Sequence, residues 1–450
     1  MITLYSKFIR GIRWNALESV LYHIIFLSHQ IILFKVIDRS LYGLASTILA
    51  TLYAIVMIGN LGLDPTFGPF FSTAKRNKGY FRLIVARQLV LQLIIFTLCA
   101  LGVLTLRHYL LPDIIALDTP LLGILGILLI SEGIKRSIRT LLQLAFMNHA
   151  TTSIEVFTIA TYVLMVWGWY SLRGYINLYT LLVPLLITSL TSVTLLIFCL
   201  YRWYKKLPQE PKSEISQGYL YSRIIKSRIL SSIYITGQQL FSSNVLIPTI
   251  AMHSGLIEAG IFNLLATLSY SITSIFHKIG GYTTQAILSY IKDQELEVKR
   301  TAFSFISSEL LHIIGAITTF LIINYQKVLF LNRQLLATDQ WMLSAYLYLG
   351  IILSDYLVVA YEKFYLNEER ADYLALFHII TIIACSLLLY FSASFSATLL
   401  LGALLAIRLI SFFTLTLISF HYWGIKPHLK IRPWYVATTL FCSVLFFLLF

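Results

Sequence analysis

Between residues 14 and 450 the sequence repeats one pattern, a mainly apolar window followed by a short polar gap. The windows fall at 14–36, 41–65, 82–106, 119–140, 152–172, 177–201, 229–252, 256–281, 301–324, 341–362, 371–391, 396–420 and 433–450. About 20 such residues carry a helix across the hydrocarbon of a bilayer. In lipid each segment must pair its own backbone N–H and C=O groups, so spans of this kind fold as helices. The gaps leave no room for a soluble catalytic domain. The chain reads as an all-α polytopic membrane protein with 12–13 transmembrane helices. Its 12% of charged residues agrees, since soluble domains carry about a quarter.

Cytoplasmic loops of such proteins collect Lys and Arg. Of the 34 Lys and Arg residues, 25 lie in alternate gaps or at the window ends bordering them, beginning with the N-terminal one, and 6 in or beside the remaining gaps. Arg87, Lys278 and Arg408 lie inside windows. One miscounted helix would swap every later gap and erase this bias, so the N-terminus is expected on the cytoplasmic side. The formal net charge of +14 then reflects topology and needs no nucleic-acid partner. Lys7, Arg10 and Arg13 ahead of an apolar run suit a signal peptide. Glu18, His23, His29 and Gln30 interrupt that run, however, and no small-x-small cleavage site ends it. It reads as a retained first helix. Cys99, Cys199, Cys385 and Cys442 all sit in apolar windows without a CxxC pair, as small packing side chains do.

The longest polar gap, YRWYKKLPQEPKSEISQ at 201–217, carries Pro208 and Pro211 and reads as a linker. It divides the chain into a six-helix lobe at 1–201, a linker with amphipathic entry at 202–228, a second six-helix lobe at 229–420, and a basic loop with a terminal helix at 421–450. A shift of 217 residues lays Tyr42-Gly43-Leu44 on Ala259-Gly260-Ile261, and Asn15, Ser19 and Tyr22 on Ser232, Thr236 and Gln239. Two halves that both start inside are parallel repeats about an axis along the membrane normal, with the substrate path expected between them.

The first window places Asn15, Ser19, Tyr22, His23 and Gln30 along one helical face, and the seventh does the same with Ser232, Thr236, Gln239 and Ser243. Such a face lines a cavity or hydrogen-bonds neighbouring helices. Charges inside windows are more informative, because each costs at least about 2.5–3.5 kcal/mol at a helix centre. Arg408 lies too deep to reach an interface. Lys278 is nearer the inner end, and Arg87 is within one or two turns of it. Among acids, Asp355 and Glu309 are deepest; each is either a proton or cation site or the partner of Arg408 or Lys278. Glu18, Glu132 and Glu155 are expected nearer the inner surface and partly solvated. Asp64-Pro65, among Gly59, Gly62 and Gly68, reads as the end of the second helix or as a hinge within it.

No G-x-x-x-x-G-K-[ST], H-E-x-x-H or G-x-S-x-G occurs, so the sequence offers no ATP loop, catalytic motif, metal or cofactor. An enzyme is not expected. Work must come from an ion gradient, the membrane potential or consumption of the substrate.

The basic lead at 7–14, the polar-speckled first helix, Asp38-Arg39-Ser40-Leu41-Tyr42-Gly43-Leu44 and Asn60-Leu61-Gly62-Leu63-Asp64 together resemble the polysaccharide biosynthesis flippases. These belong to the multidrug/oligosaccharidyl-lipid/polysaccharide exporter superfamily. Gly260-Ile261-Phe262-Asn263 looks like the repeat counterpart. The resemblance implies a V-shaped pair of six-helix lobes with a cationic cavity, in a bacterial inner membrane. It also implies that an undecaprenyl-diphosphate-linked oligosaccharide, of the O-antigen type, is moved from inner to outer leaflet by alternating access. Lys278, Arg408 and Arg87 would meet the diphosphate, and Asn15, Tyr22, His23, Gln30 and Gln239 the sugars. Asp355, Glu309 and Asp64 are the candidates for coupling to H+ or Na+. Membrane lipids, polymerase and glycosyltransferases are the implied partners. The incomplete pair beyond helix twelve departs from the fourteen-helix members and argues against a peptidoglycan precursor. Two alternatives stand beside this reading: a cation-coupled multidrug exporter of the same superfamily, and a membrane-embedded polysaccharide polymerase or ligase, which the short outer loops disfavour.

Overall fold

The computed structural model describes residues 2–105, 118–145, 147–209, 217–271, 273, 295–304, 315, 341–368, 370–391, 396–424, 437 and 440–441. Every described secondary-structure element is helical. In chain order the helices are α1 (Ile2–Val36), α2 (Arg39–Gly59), α3 (Leu63–Ala74) and α4 (Lys78–Thr105). They continue with α5 (Thr119–Leu144), α6 (Asn148–Arg173), α7 (Leu178–Lys205), α8 (Gln217–Gln239) and α9 (Ser243–Ser254). After α10 (Leu256–Ser271) and a helical stretch at 296–304 come α11 (Met342–Asn367), α12 (Ala371–Phe391) and α13 (Ala397–Trp423). Among the described residues, six helices are long and apolar enough to cross a membrane: α2, α4, α6, α7, α12 and α13. The long helix α5 carries Glu132, Lys135, Arg136 and Arg139 in its second half.

Short polar residues start the helices where a connection ends. Asp38 caps α2 by accepting from the amides of Ser40 (2.9 Å) and Leu41 (3.2 Å). The Ser40 hydroxyl, followed by these amides, holds the Asp38 carboxyl below its usual range. Asp118 accepts from Leu121 N at 3.1 Å, with Pro120 in the first turn where no N–H is needed. Asn177 and Thr180 form a reciprocal capping box on α7.

Two compact units divide the chain: Met1–Asn263 with Ala371–Ile382, and Leu264–Arg370 with Ile383–Phe450. In the first, α1 packs on α6, α5 on α4 and α7, α2 on α9, and α3 on α8. One apolar core joins Ile48, Leu52, Val56, Phe96, Leu125 and Leu128, and another joins Phe67, Phe71, Phe81, Ile84, Leu141 and Ile224. His378 on α12 belongs to this unit: its ring meets Tyr234 edge-on at 5.2 Å and fills the space over Gly237. In the second unit α11 packs along α13, with Leu405 against Gly350 and a Ser344 to Thr398 hydroxyl contact of 2.9 Å. Phe303 fills against Tyr361 and Phe364.

Three expected spans differ. The first helix extends back to Ile2, so the basic lead is continuous with it. The second ends at Gly59 instead of 65, because Leu61 (φ 46) and Gly62 (φ 70) turn left-handed and break it. Asp64 and Pro65 therefore open α3 and do not close α2; proline is tolerated in a first turn because its missing N–H has no partner there. The seventh span divides into α8 and α9 around Leu240-Phe241-Ser242, where Phe241 N and Ser242 N tighten onto the carbonyls of Gln238 and Gln239. The windows at 301–324 and 433–450 fall largely outside the described residues, as does the second half of 256–281.

Candidate functional site

Three polar assemblies lie inside the first unit. The most heavily charged draws on α1, α5 and α6. Arg139 binds Glu18 and lies 3.8 Å from Glu155; Lys135 stands 3.5 Å from both Glu132 and Glu155. Thr152 adds a hydroxyl bond to Glu18 at 3.3 Å. Glu18, Glu132 and Glu155 are only 1%, 8% and 5% exposed. Helical spacing explains the convergence, since 132, 135 and 139 share one face of α5. Among the described residues, three carboxylates and two cations meet in this cluster. Tyr22 and Tyr53 lie within the electrostatic reach of Glu132 and Glu155. Water is too poorly admitted here to screen the charges, so each depends on its neighbours.

The second assembly seals the break between α2 and α3. A helix end leaves orphan carbonyls, and Gln92 donates to Gly59 O at 2.7 Å while Arg228 points at the carbonyls of Asn60 and Leu61, both at 3.5 Å. Arg228 also donates to Gln88 (2.7 Å) and Gln92 (2.8 Å). A five-residue π-helical stretch, Arg82–Ala86, precedes these glutamines in α4; such bulges re-aim side chains. Close approach makes this contact possible: a Cβ on Gly62 would fall 2.5 Å from Arg228 O. Beside it, Asp64 accepts from Arg136 at 2.7 Å and from Asn60 at 3.2 Å. Replacing Arg228 by Leu strands two buried amide oxygens, at about 1–3 kcal/mol each. We expect a clearly lowered melting temperature for the detergent-solubilised variant, with Arg228→Lys recovering only part because an ammonium lacks the guanidinium fork.

The third assembly is the crossing of α2 with the start of α10. Gly43 and Gly260 face each other, with a Cβ on Gly260 only 3.1 Å from Gly43 Cα. Asn263 donates to Tyr42 OH and Ser46 Oγ, both at 3.0 Å, and Tyr42 OH donates to Gln30 at 2.8 Å. The residues matched by the 217-residue shift, Gly43 with Gly260 and Ser46 with Asn263, thus touch each other.

In the second unit Arg408 is fully buried and binds Asp355, whose side chain is 32% exposed. This is one of the two roles expected of Asp355. Of the remaining candidates, Tyr22 joins the charged cluster, His23 is buried beside Tyr22, Gln30 serves the helix crossing, and Gln239 is buried at the end of α8. Arg87 is exposed and heads a stripe of exposed Val90, Ile94, Leu98 and Leu101. Asp64 is held by Arg136. Lys278, Glu309 and the side chain of Asn15 lie outside the described residues. Among the described residues no group of three His, Cys, Asp or Glu side chains is placed to hold a metal.

Glu18, Glu132 and Glu155 correct the expectation of partial solvation. α5 runs on to Leu144 and carries Lys135 and Arg139 into the packed unit with them. The 132, 135, 139 spacing was the available signal.

No protein-family profile matches the sequence, and no curated protein matches it. Solved structures do. A MATE transporter in the straight conformation matches with TM-score 0.67 and 11% identity over 93% of this chain and 96% of that one. An outward-facing multidrug resistance MATE family transporter of the MOP superfamily gives 0.60 and 11% over 92% and 94%. An inward-facing one gives 0.57 and 11% over 89% and 98%. The chain has the fold of these transporters.

Proposed function

We propose that the protein is a flippase that carries undecaprenyl-diphosphate-linked oligosaccharide from the inner to the outer leaflet of a bacterial cytoplasmic membrane by alternating access. The observation that carries this reading is the helix crossing. One of the segments that carry the flippase resemblance, Asp38-Arg39-Ser40-Leu41-Tyr42-Gly43-Leu44, and its repeat counterpart, Gly260-Ile261-Phe262-Asn263, pack directly on each other through Gly43, Gly260, Tyr42 and Asn263. In this account Arg408 and Lys278 meet the diphosphate, Arg408 exchanging Asp355 for a phosphate oxygen through charge-assisted bonds. Ion coupling moves from Asp355 and Asp64, each tied to an arginine, to the charged cluster on α1, α5 and α6, whose buried carboxylates Glu18, Glu132 and Glu155 can take up a proton or Na+. The N-terminus is cytoplasmic.

A specific observation favours a second reading, a cation-coupled multidrug exporter. The buried carboxylates Glu18, Glu132 and Glu155 suit coupling to a cation as readily in an exporter of cationic drugs. Deleting the gene separates the two. The flippase reading expects loss of surface glycan, accumulation of lipid-linked repeat units at the inner leaflet, and unchanged tolerance of cationic dyes. Dye sensitivity with normal glycan would replace it by the exporter.

A further inference from the structure

Where α4 begins and α7 ends, the first unit presents cations that have no carboxylate. Lys75, Arg76, Lys78, Arg82, Arg202 and Lys205 make no ion pair with any described residue, whereas Lys135, Arg136 and Arg139 of the same unit each do. Four of them, Lys78, Arg82, Arg202 and Lys205, rest on aromatic side chains at two helix ends that share an aromatic cluster. Trp203 stacks on Phe71 at 5.6 Å with ring planes 17° apart, and Phe81 packs on Trp203 and on Tyr204. The two helix ends are tied together by Lys78 N donating to Pro208 O at 3.1 Å.

Lys78 stands over the Tyr204 ring of this cluster at 5.9 Å, and on α7 Arg202 stands over the exposed Phe198 at 5.1 Å and Lys205 over the exposed Tyr201 at 4.7 Å. Arg82 Nε donates to Tyr204 OH at 3.0 Å. Ring contacts hold the stems while leaving N–H groups free for an anion. Both helices continue from this end as exposed apolar stripes: Phe198, Leu190 and Ile187 on α7, and Val90, Ile94 and Leu98 on α4. An occupant must therefore pair an anionic head with long apolar tails.

The geometry points to a binding site for an anionic phospholipid, its phosphate among Arg82, Arg202 and Lys205 and its acyl chains along the two stripes. Charge bias in the sequence assigns this end to the cytoplasmic leaflet, where basic groups beside membrane helices collect such headgroups. The inference is independent of what the protein transports.

The test uses the full-length protein in detergent, titrated with phosphatidylglycerol or phosphatidylcholine and followed by native mass spectrometry and thermal unfolding. Each headgroup-facing cation contributes about fivefold in affinity. The combined variant Arg82→Gln, Arg202→Gln and Lys205→Gln should therefore weaken phosphatidylglycerol binding at least about tenfold, and leave phosphatidylcholine unaffected. Equal binding of the two lipids, or an unchanged affinity in the variant, overturns the site, as does binding of undecaprenyl phosphate alone. Should the variant misfold, wild-type protein crosslinked to a photoreactive phosphatidylglycerol gives the same answer: label within residues 198–206 and 78–98 is expected, and label spread evenly over the helices refutes it.

Discussion

Gly43→Ala should cost the protein its stable fold in detergent, although it adds one methyl group. The new Cβ would lie 1.7 Å from the carbonyl oxygen of Leu256 and 2.5 Å from its carbon. Both are backbone atoms of α10, so no side chain can swing aside. Overpacking a core costs about 1–3 kcal/mol when neighbours can adjust; here α2 and α10 must separate, and the bonds from Asn263 to Tyr42 and Ser46 go with them. Gly260→Ala tests the same contact from the other side. Its Cβ would meet Gly43 Cα and a Tyr42 ring carbon at 3.1 Å, a shift of tenths of an ångström, so its cost belongs at the low end of that range. The expected order of melting temperatures is wild type, then Gly260→Ala, then Gly43→Ala by a wide margin. Equal melting temperatures would mean that the two helices do not cross at Gly43.

The second large effect lies in the charged cluster. Arg139→Leu removes a partner of Glu18 and a neighbour of Glu155, both buried, and takes one positive charge out of the cluster. Deleting one side of a buried pair costs about 3–5 kcal/mol, because the charge left behind stays out of water. Glu18→Gln runs the other way. It removes one negative charge and keeps an oxygen for Thr152, so it should be much milder. Combining the two should recover much of the loss, a coupling of about 0.5–3 kcal/mol in a double-mutant cycle. Unfolding monitored by denaturant or heat on the four proteins measures it. Additive effects would show that Arg139 and Glu18 do not act on each other.

These two sites also show what could be read from the chain. Tyr42-Gly43 and its counterpart at 260 were visible as a repeat, because a shift argument needs only sequence; that they touch depends on tertiary packing. The caps at Asp38, Asp118 and Asn177 follow from local hydrogen bonding, and helix starts there agree with the apolar windows to within a few residues. Breaks were harder. Leu61 turns left-handed at φ 46, a conformation that leucine rarely signals, and the break is held from distant helices by Arg228 at the Leu61 carbonyl and Gln92 at that of Gly59. Gly62 beside it was legible, yet proline at 65 was the stronger cue and placed the break too late. Gln239-Leu240-Phe241-Ser242 carries no breaker at all, so the division of α8 from α9 had no local signal.

The charged cluster was hidden for a related reason. Lys135 and Arg139 lie within the window at 119–140 but were counted as topology-setting charges, and that role does not reveal what they face. The spacing of 132, 135 and 139 predicts a single charged face that must find partners, and Glu18 and Glu155 supply them. Asp355 with Arg408 was one of two stated roles, since each needs an opposite charge at that depth.

Flipping itself can be measured in proteoliposomes of the purified protein that carry a fluorescent undecaprenyl-diphosphate oligosaccharide in both leaflets, with a membrane-impermeant quencher added outside. The account predicts that label from the inner leaflet becomes quenchable at a rate that rises with the amount of protein and is lost in protein denatured before reconstitution. An inner-leaflet fraction that stays as protected as in protein-free vesicles, while a cationic dye is moved by the same preparation, would contradict it.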